Sequence, residues 1–344
     1  MTQRHSLAII GAGPAGLAAA HEAVQQGIRP LVLEEADKVG GLARTEMYKD
    51  YRFDIGGHRF FTKIEEIQNL WGGMLGTDFV TVPRLSRIYY QGQFFKYPME
   101  LVDTISKLGL TESARILFSY LKAKVSPYPQ EDTFDQWVTN RFGQRLYEMF
   151  FQAYTEKVWG MPCSEIQADW AAQRIAGLSL RTIVANTLFR AKEARSLIHE
   201  FHYPILGPGM MWQRFSELVE SQGGKVCVGN RVISIEREMD RITGMVVMQG
   251  GDKTKIQAEN YISSMPLTEL IAAINPLPPS EVVQAARRLR YRDLLVVALI
   301  AERARQFPDQ WIYIQSADVQ VGRIQNFGNW SAAMVPSGPV SYTH

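Results

Sequence analysis

Leu7-Ala8-Ile9-Ile10-Gly11-Ala12-Gly13-Pro14-Ala15-Gly16 decides the fold, together with the helix formers from Ala15 to Gln26, then Gly27, then the apolar run Pro30-Leu31-Val32-Leu33. A short run of apolar residues suits a strand buried on both faces, and the glycine-rich turn after it feeds a helix that Gly27 is placed to stop. The order strand, glycines, helix, strand is a β-α-β unit, so the fold class is α/β. The three glycines have separate tasks. Gly11 allows the tight turn, Gly13 lets backbone approach a pyrophosphate, and Gly16 permits close contact between helix and strand. The helix N-terminus then offers its free N–H groups to the phosphates. Glu34 ends the second strand, where a carboxylate can accept hydrogen bonds from an adenosine ribose, whereas alternation points Glu35 the other way.

Two more glycine pairs lie further along the chain. Gly40-Gly41-Leu42-Ala43-Arg44 supplies a flexible turn and a guanidinium able to reach the same pyrophosphate. Phe53-Asp54-Ile55-Gly56-Gly57-His58-Arg59-Phe60-Phe61 places a pair before a histidine and aromatics, which suits close backbone approach to a flat ring system. The pieces GAGPAGLAAA, LEEADKVGGLART and FDIGGHRFF resemble the superfamily of FAD flavoproteins that includes amine oxidases, protoporphyrinogen oxidase, carotenoid desaturases and UDP-galactopyranose mutase. The resemblance implies a Rossmann-like FAD-binding domain. Gly11, Gly13, Gly16, Glu34, Gly40, Gly41 and Arg44 would then lie on the ADP half of FAD, with Gly57 and His58 near the isoalloxazine. A strand of the Gly229-Asn230-Arg231-Val232 type lies beside the adenine in that family, which makes Val232 a backbone contact.

Outward from these motifs, Arg87–Tyr90 and Phe94–Tyr97 read as a hairpin across Gln91-Gly92-Gln93, and Pro98 closes it. The pattern is helical from Met99 to about Arg195, including Phe134–Phe142 after an Asp132 cap and Gln144–Val158. Phe201–Pro204 and Gly207–Met211 read as a loop before a helix. Strand patterns return at Lys225–Val228, Arg231–Ile235, Thr243–Val247 and Tyr261–Ser264. The expected organisation is a first part of the FAD-binding domain over 1–85, a hairpin and inserted helical substrate domain over 86–200, a return to the FAD-binding domain over 201–270, and substrate-domain strands of an antiparallel sheet over 271–330. Residues 331–344, rich in Pro, Gly and Ser, read as an unstructured tail or a truncation of the C-terminal part.

The stretch Tyr147–Gly160, YEMFFQAYTEKVWG, has aromatic residues at helical spacing, a pattern that a plain core also produces. With SRIYYQGQFFKYP before it and Ser164-Glu165-Ile166 after it, it is similar to UDP-galactopyranose mutase. By that resemblance Tyr154 and Trp159 line a nucleotide-sugar pocket, Arg174, after a one-residue shift, contacts the diphosphate, and Arg323 is a further pocket arginine. Aromatic faces stack a uracil, and guanidinium forks pair bidentately with a diphosphate. The resemblance implies catalysis through the flavin N5 with no net redox change, in which His58, Arg174 and Arg323 are the candidate catalytic residues. The alternatives are an oxidoreductase of the amine oxidase or protoporphyrinogen oxidase type, passing substrate hydride to flavin, and an incomplete, non-catalytic flavoprotein fragment.

Composition removes other classes. The 344 residues carry 37 Lys+Arg against 35 Asp+Glu, a net charge of +2 with no long basic run, which excludes the footprint of a general nucleic-acid binder. Cys163 and Cys227 are too few and too far apart for a disulfide framework or thiolate metal cluster, and a reducing cytoplasm suits them. His199 and His202, three apart, have no third ligand spaced to join them, so no metal is expected. No window supplies a transmembrane helix, and the helical insert leaves a peripheral membrane contact open, although no basic amphipathic stripe in the sequence requires one. The expected partner is a small molecule such as a UDP-sugar, and nothing indicates an oligomeric state.

Overall fold

The computed structural model describes residues 4–97, 99, 101–175, 200–301, 307–336 and 340–343, so the part of the helical expectation at 176–199, His199 included, lies outside the described residues. The chain forms two compact units, one from Met1–Val80 with His202–Leu294, the other from Thr81–Phe201 with Leu295–His344.

The first unit is built on the expected β-α-β element: strand Arg4–Ile10, helix Pro14–Gln25 and strand Pro30–Leu33. Leu7 stands opposite Pro30 on one side and Asn260 on the other, all in parallel register. The full sheet runs Ile274–Asn275, Arg231–Glu238, Arg241–Gln249, Asp252–Ser263, Arg4–Ile10, Pro30–Leu33, Lys225–Cys227. Burial on both faces explains why Leu7–Ile10 and Pro30–Leu33 are apolar at every position. Leu7, Ile9 and Val32 pack under Leu17, Ala20 and Val24 of the first helix and Met211, Phe215 and Val219 of helix Gly209–Ser221. Ala8, Ile10, Leu31 and Leu33 face Val232, Ile235, Met245 and Val247. The long strand Asp252–Ser263 makes this second layer possible. Its first residues pair antiparallel with Arg241–Gln249, its last run parallel to Arg4–Ile10, and the meander thereby folds over the parallel strands. Each of the larger side chains here (Val, Leu, Ile, Met and Phe), fully buried, contributes about 1.5–3 kcal/mol.

In the second unit the hairpin Ser86–Tyr90 and Gln93–Lys96 turns at Gln91-Gly92, whose φ values of 47° and 79° give the two-residue turn that right-twisted strands require. Its sheet is mixed rather than purely antiparallel, since Trp311–Ile314 runs parallel to Ser86–Tyr90 while Arg323–Gln325 runs antiparallel to Trp311–Ile314. The helices are Leu101–Val125, kinked at Gly109, then Phe134–Phe142, a run from Gln144 to Trp159 with a π-helical stretch at Glu148–Gln152, and Ala168–Ile175. Phe134, Val138, Phe142, Met149 and Phe150 form their core with Phe95.

Three readings need correction. The cap of helix Phe134–Phe142 is Thr133, not Asp132, because Gln136 folds back to accept the Asp132 and Thr133 N–H groups. Glu200–Pro204 is a strand, not a loop, since Phe201 and Tyr203 alternate into buried positions that a local pattern does not reveal. The tail is not unstructured throughout: Val340–Thr343 pairs with Ala298–Ala301 and with Gln325.

Candidate functional sites

The glycine loop divides into residues that the fold itself demands and one that it does not. Gly11 has φ +97°, and a Cβ there would lie 2.3 Å from Ser264 Oγ. A Cβ at Gly16 would lie 1.8 Å from the Gly11 carbonyl oxygen, and at Gly41, with φ +52°, 3.0 Å from Gly13 Cα. Gly13 is different. Its backbone is extended, and a Cβ there would meet only Gly41, its Cα at 3.7 Å, an ordinary contact. Packing does not require a glycine at this position, whereas a phosphate approaching the backbone does. The helix that opens here carries Pro14 in its first turn, no side-chain cap and no acidic residue there, so its amide end is open to an anion. These residues fit a dinucleotide diphosphate.

Glu34 is buried, and its carboxylate accepts the Ala12 N–H at 2.7 Å and the Ala36 N–H at 3.0 Å. It therefore shapes the loop, with lone pairs left for a ribose. Glu35 lies exposed, 3.6 Å from Arg231. The Gly229 N–H donates to the Ala36 carbonyl and the Asn230 N–H to that of Glu34, which brings the next strand and buried Val232 against Leu33. Gly40 donates its N–H to the Ala12 carbonyl at 2.8 Å and so closes the second glycine loop onto the first. Arg44 is held at 2.5 Å by Glu46 and at 3.1 Å by the Gly41 carbonyl, leaving one terminal nitrogen of its fork uncommitted among these bonds.

Gly57 and His58 are half-buried, and His58 Nε2 lies 2.9 Å from the Ile55 carbonyl oxygen. A carbonyl only accepts, so Nε2 carries the proton and Nδ1 is the second face of the ring. Just before this turn the sequence reading missed a polar cluster. The fully buried Asp54 accepts from the Tyr203 hydroxyl at 2.6 Å and from the Thr45 hydroxyl at 3.2 Å. Burial pushes its carboxyl up to about 8 against the pull of both hydrogen bonds. The available signal was a carboxylate at the end of strand Tyr51–Asp54, directly before Ile55 and the Gly56-Gly57 pair.

The second unit carries its own constellation. Tyr313 stands beside Arg323 across two antiparallel strands, and Tyr154 meets the Tyr313 ring edge-on at 5.3 Å. Tyr97 lies 5.0 Å from the Tyr313 ring, and the Arg84 guanidinium sits 4.9 Å from Tyr97 and 5.3 Å from Trp311. Burial raises the Tyr154 and Tyr313 phenols above the ordinary range while the Arg323 charge pulls both down, so both are neutral hydrogen-bond donors beside a cation. The helix carrying Tyr154 is clamped to these strands. Lys157 Nζ donates to the carbonyls of Ile314, Ser316 and Val321, and Gln315 accepts from the Tyr154 N–H while donating to the Phe150 carbonyl.

Of the residues expected on the substrate side, the structure thus brings Tyr154 and Arg323 together. Trp159 instead stands edge-on to Trp170. Arg174 occupies the last turn of helix Ala168–Ile175, its side chain outside the described residues. Tyr313, Tyr97 and Arg84 escaped the sequence reading because only strand pairing collects them. Cys163 is buried and its thiol is pushed up to about 12, while His202 lies in a strand against Phe79 at 5.0 Å. No group of three metal-ligating side chains occurs among the described residues.

A family model described as flavin containing amine oxidoreductase matches residues 14–326. A Klebsiella pneumoniae protein described as "Probable UDP-galactopyranose mutase" is 30% identical over 175 residues, which is 48% of this chain and 43% of that protein; the chain thus matches less than half the length of this relative. Among solved structures, a reduced UDP-galactopyranose mutase superposes with a TM-score of 0.81 at 22% identity, covering 98% of this chain and 73% of the other. A putrescine oxidase superposes with a TM-score of 0.60 at 18% identity, covering 100% and 75%. These likenesses carry the fold, and the family model carries membership. The chain belongs to the flavin containing amine oxidoreductase family, and its cofactor is FAD.

Proposed function

We propose that this chain is a flavoenzyme of the mutase-like branch that acts on a nucleotide-sugar or related glycan precursor. The observation that carries this reading is the grouping of Tyr154, Tyr313 and Arg323. An amine oxidase pocket is served by apolar walls or an aromatic cage, whereas a leaving diphosphate needs cationic and hydrogen-bonding partners. The first unit, through Gly11, Gly13, Gly16, Glu34, Gly40, Gly41, Arg44 and Val232, holds FAD, and the second carries the substrate groups. Bound FAD supplies a ring whose N5 is nucleophilic when reduced.

The chain's own residues bind and orient the substrate. Arg323, with Arg174, compensates the negative charge that grows on the diphosphate as its bond to the anomeric carbon breaks. The neutral Tyr154 and Tyr313 phenols donate hydrogen bonds to phosphate oxygens, and aromatic faces, Trp159 among them, receive the base. His58, with Nδ1 as its second face, shapes the flavin-side pocket beside Gly57.

The test is a titration of UDP into the FAD-loaded, dithionite-reduced protein, monitored by the flavin absorbance spectrum. A saturable change is expected. Bound flavin without any response favours the oxidoreductase reading, and a His58→Ala enzyme with unchanged turnover and flavin binding removes the role given to His58.

A further inference from the structure

Helix Leu101–Val125 buries Ile116 and Ala123 but leaves a row of large apolar side chains in solvent: Leu110 at 82% exposure, Phe118 at 72% and Val125 at 87%, with Leu117 and Leu121 exposed between them. The row begins directly after Gly109, whose φ of 77° interrupts the helix and sets a new phase for the residues beyond it. Counting about 100° per residue from there, Leu117, Leu110, Leu121, Val125 and Phe118 fall within one sector of about 100°. The stripe is about 22 Å long at about 1.5 Å per residue. Soluble surfaces rarely leave so many large apolar groups contiguous without a partner.

The rims of the stripe are basic. Lys124 borders one edge, Lys122 and Arg115 the other, all three exposed. Glu112 is the acidic residue of Leu110–Val125, and it is shared between Arg145 and the rim residue Arg115, which leaves Lys122 and Lys124 without a carboxylate partner among these bonds. Lys124 donates to the Asn140 carbonyl and lies 5.3 Å from the Tyr120 ring, which holds its ammonium at the edge of the face. Tyr128, exposed, lies within one turn of chain beyond the helix end.

From this arrangement we propose that the face Leu110–Val125 docks on an anionic lipid bilayer, lying in the interfacial plane with its apolar row among the acyl chains and its lysines and Arg115 at the headgroups. An apolar centre between two basic edges is the pattern such a helix needs, and an exposed tyrosine at its end suits the same depth. No helix among the described residues is long and apolar enough to cross a membrane, so the contact is peripheral. A second copy of this chain fits less well. Antiparallel self-pairing of the stripe would set basic rims beside basic or neutral ones, with no carboxylate placed to meet them.

The experiment is co-sedimentation of the FAD-loaded full chain with phosphatidylcholine vesicles and with vesicles in which about one third of the lipid is phosphatidylglycerol. The wild type should pellet with the anionic vesicles, less so as salt rises, and stay largely in solution with phosphatidylcholine alone. A Phe118→Ser/Leu121→Ser variant should lose about tenfold or more of the partition coefficient, and Lys122→Glu should weaken it in the same direction. These side chains are exposed, so melting temperature and flavin content should stay at wild-type values and report that the variants are folded. Wild-type protein that remains in solution with both vesicles, or binding that the double variant leaves unchanged, overturns the proposal. So does a concentration-dependent dimer in sedimentation velocity that the double variant dissolves, without vesicle binding, since that outcome assigns the face to a second copy.

Discussion

Tyr203 donates its hydroxyl to Asp54 Oδ2 at 2.6 Å, with both side chains sealed from solvent. The Thr45 hydroxyl holds the other carboxyl oxygen and itself accepts the Gly209 N–H at 3.0 Å. A Cβ at Gly207 would lie 2.2 Å from Thr45 Oγ1 and 3.0 Å from Asp54. One buried acid therefore ties the hairpin Thr45–Asp54 to the loop that opens helix Gly209–Ser221, immediately before the Gly56-Gly57-His58 turn.

Because burial raises Asp54 from 3.8 to about 8, the folded chain binds a proton there that the unfolded chain releases. The stabilisation is complete below pH 4, and it is lost progressively as pH rises to about 8, beyond which no further loss comes from this group. The expected slope approaches about 1.4 kcal/mol per pH unit within that window. Urea denaturation at a series of pH values should show this slope in the wild type and a flatter dependence in Asp54→Asn. Equal slopes in the two proteins would sink the assignment.

Gly16→Ala and Gly13→Ala should part company. The first drives a methyl into the Gly11 carbonyl at 1.8 Å and should cost about 3 kcal/mol or more, seen as a large fall in melting temperature even without flavin. The second finds room for its methyl and should cost no more than about 1 kcal/mol, yet it should weaken FAD retention. Flavin content after gel filtration, beside the melting temperature, distinguishes a packing glycine from a phosphate-facing one.

Arg323→Ala should weaken UDP binding to the reduced protein by about tenfold or more, and Arg323→Lys should not restore it, because an ammonium lacks the planar fork. Tyr313→Phe should lose a smaller share, about 1 kcal/mol for one hydrogen bond. Arg174→Ala should lower affinity for UDP as well. Unchanged UDP affinity in all of these variants, with FAD still bound, would remove the nucleotide-sugar reading and leave the family assignment intact.

Arg87 pairs bidentately with the fully buried Asp309, Nε to Oδ1 at 2.8 Å and a terminal nitrogen to Oδ2 at 2.6 Å, fastening the hairpin strand to the segment before Trp311. Asp309→Asn breaks the ion pair and should destabilise the chain by about 3 kcal/mol or less, since the Arg87 edge reaches solvent. Chemical denaturation measures it, and a loss below about 0.5 kcal/mol would show that the pair contributes little.

Sequence alone determined the β-α-β core, because its information is local: Leu7–Ile10 and Pro30–Leu33 are apolar at every position, Gly11 must take a positive φ, and Glu34 stands at the end of its strand. The same locality served the Gln91-Gly92 turn. What it could not decide was anything assembled by pairing between distant segments. Tyr313 joins Arg323 only through an antiparallel ladder, Tyr154 reaches them because Lys157 and Gln315 clamp its helix to that ladder, and Asp54 meets Tyr203 across 149 positions of chain. The exposed row on helix Leu101–Val125 belongs to the same class, since leucines at helical spacing read as core until the packed structure shows which face is covered. Periodicity and steric limits act on neighbours in sequence, whereas burial, ion pairing and the neutral state of a buried acid depend on what the rest of the chain places around a residue.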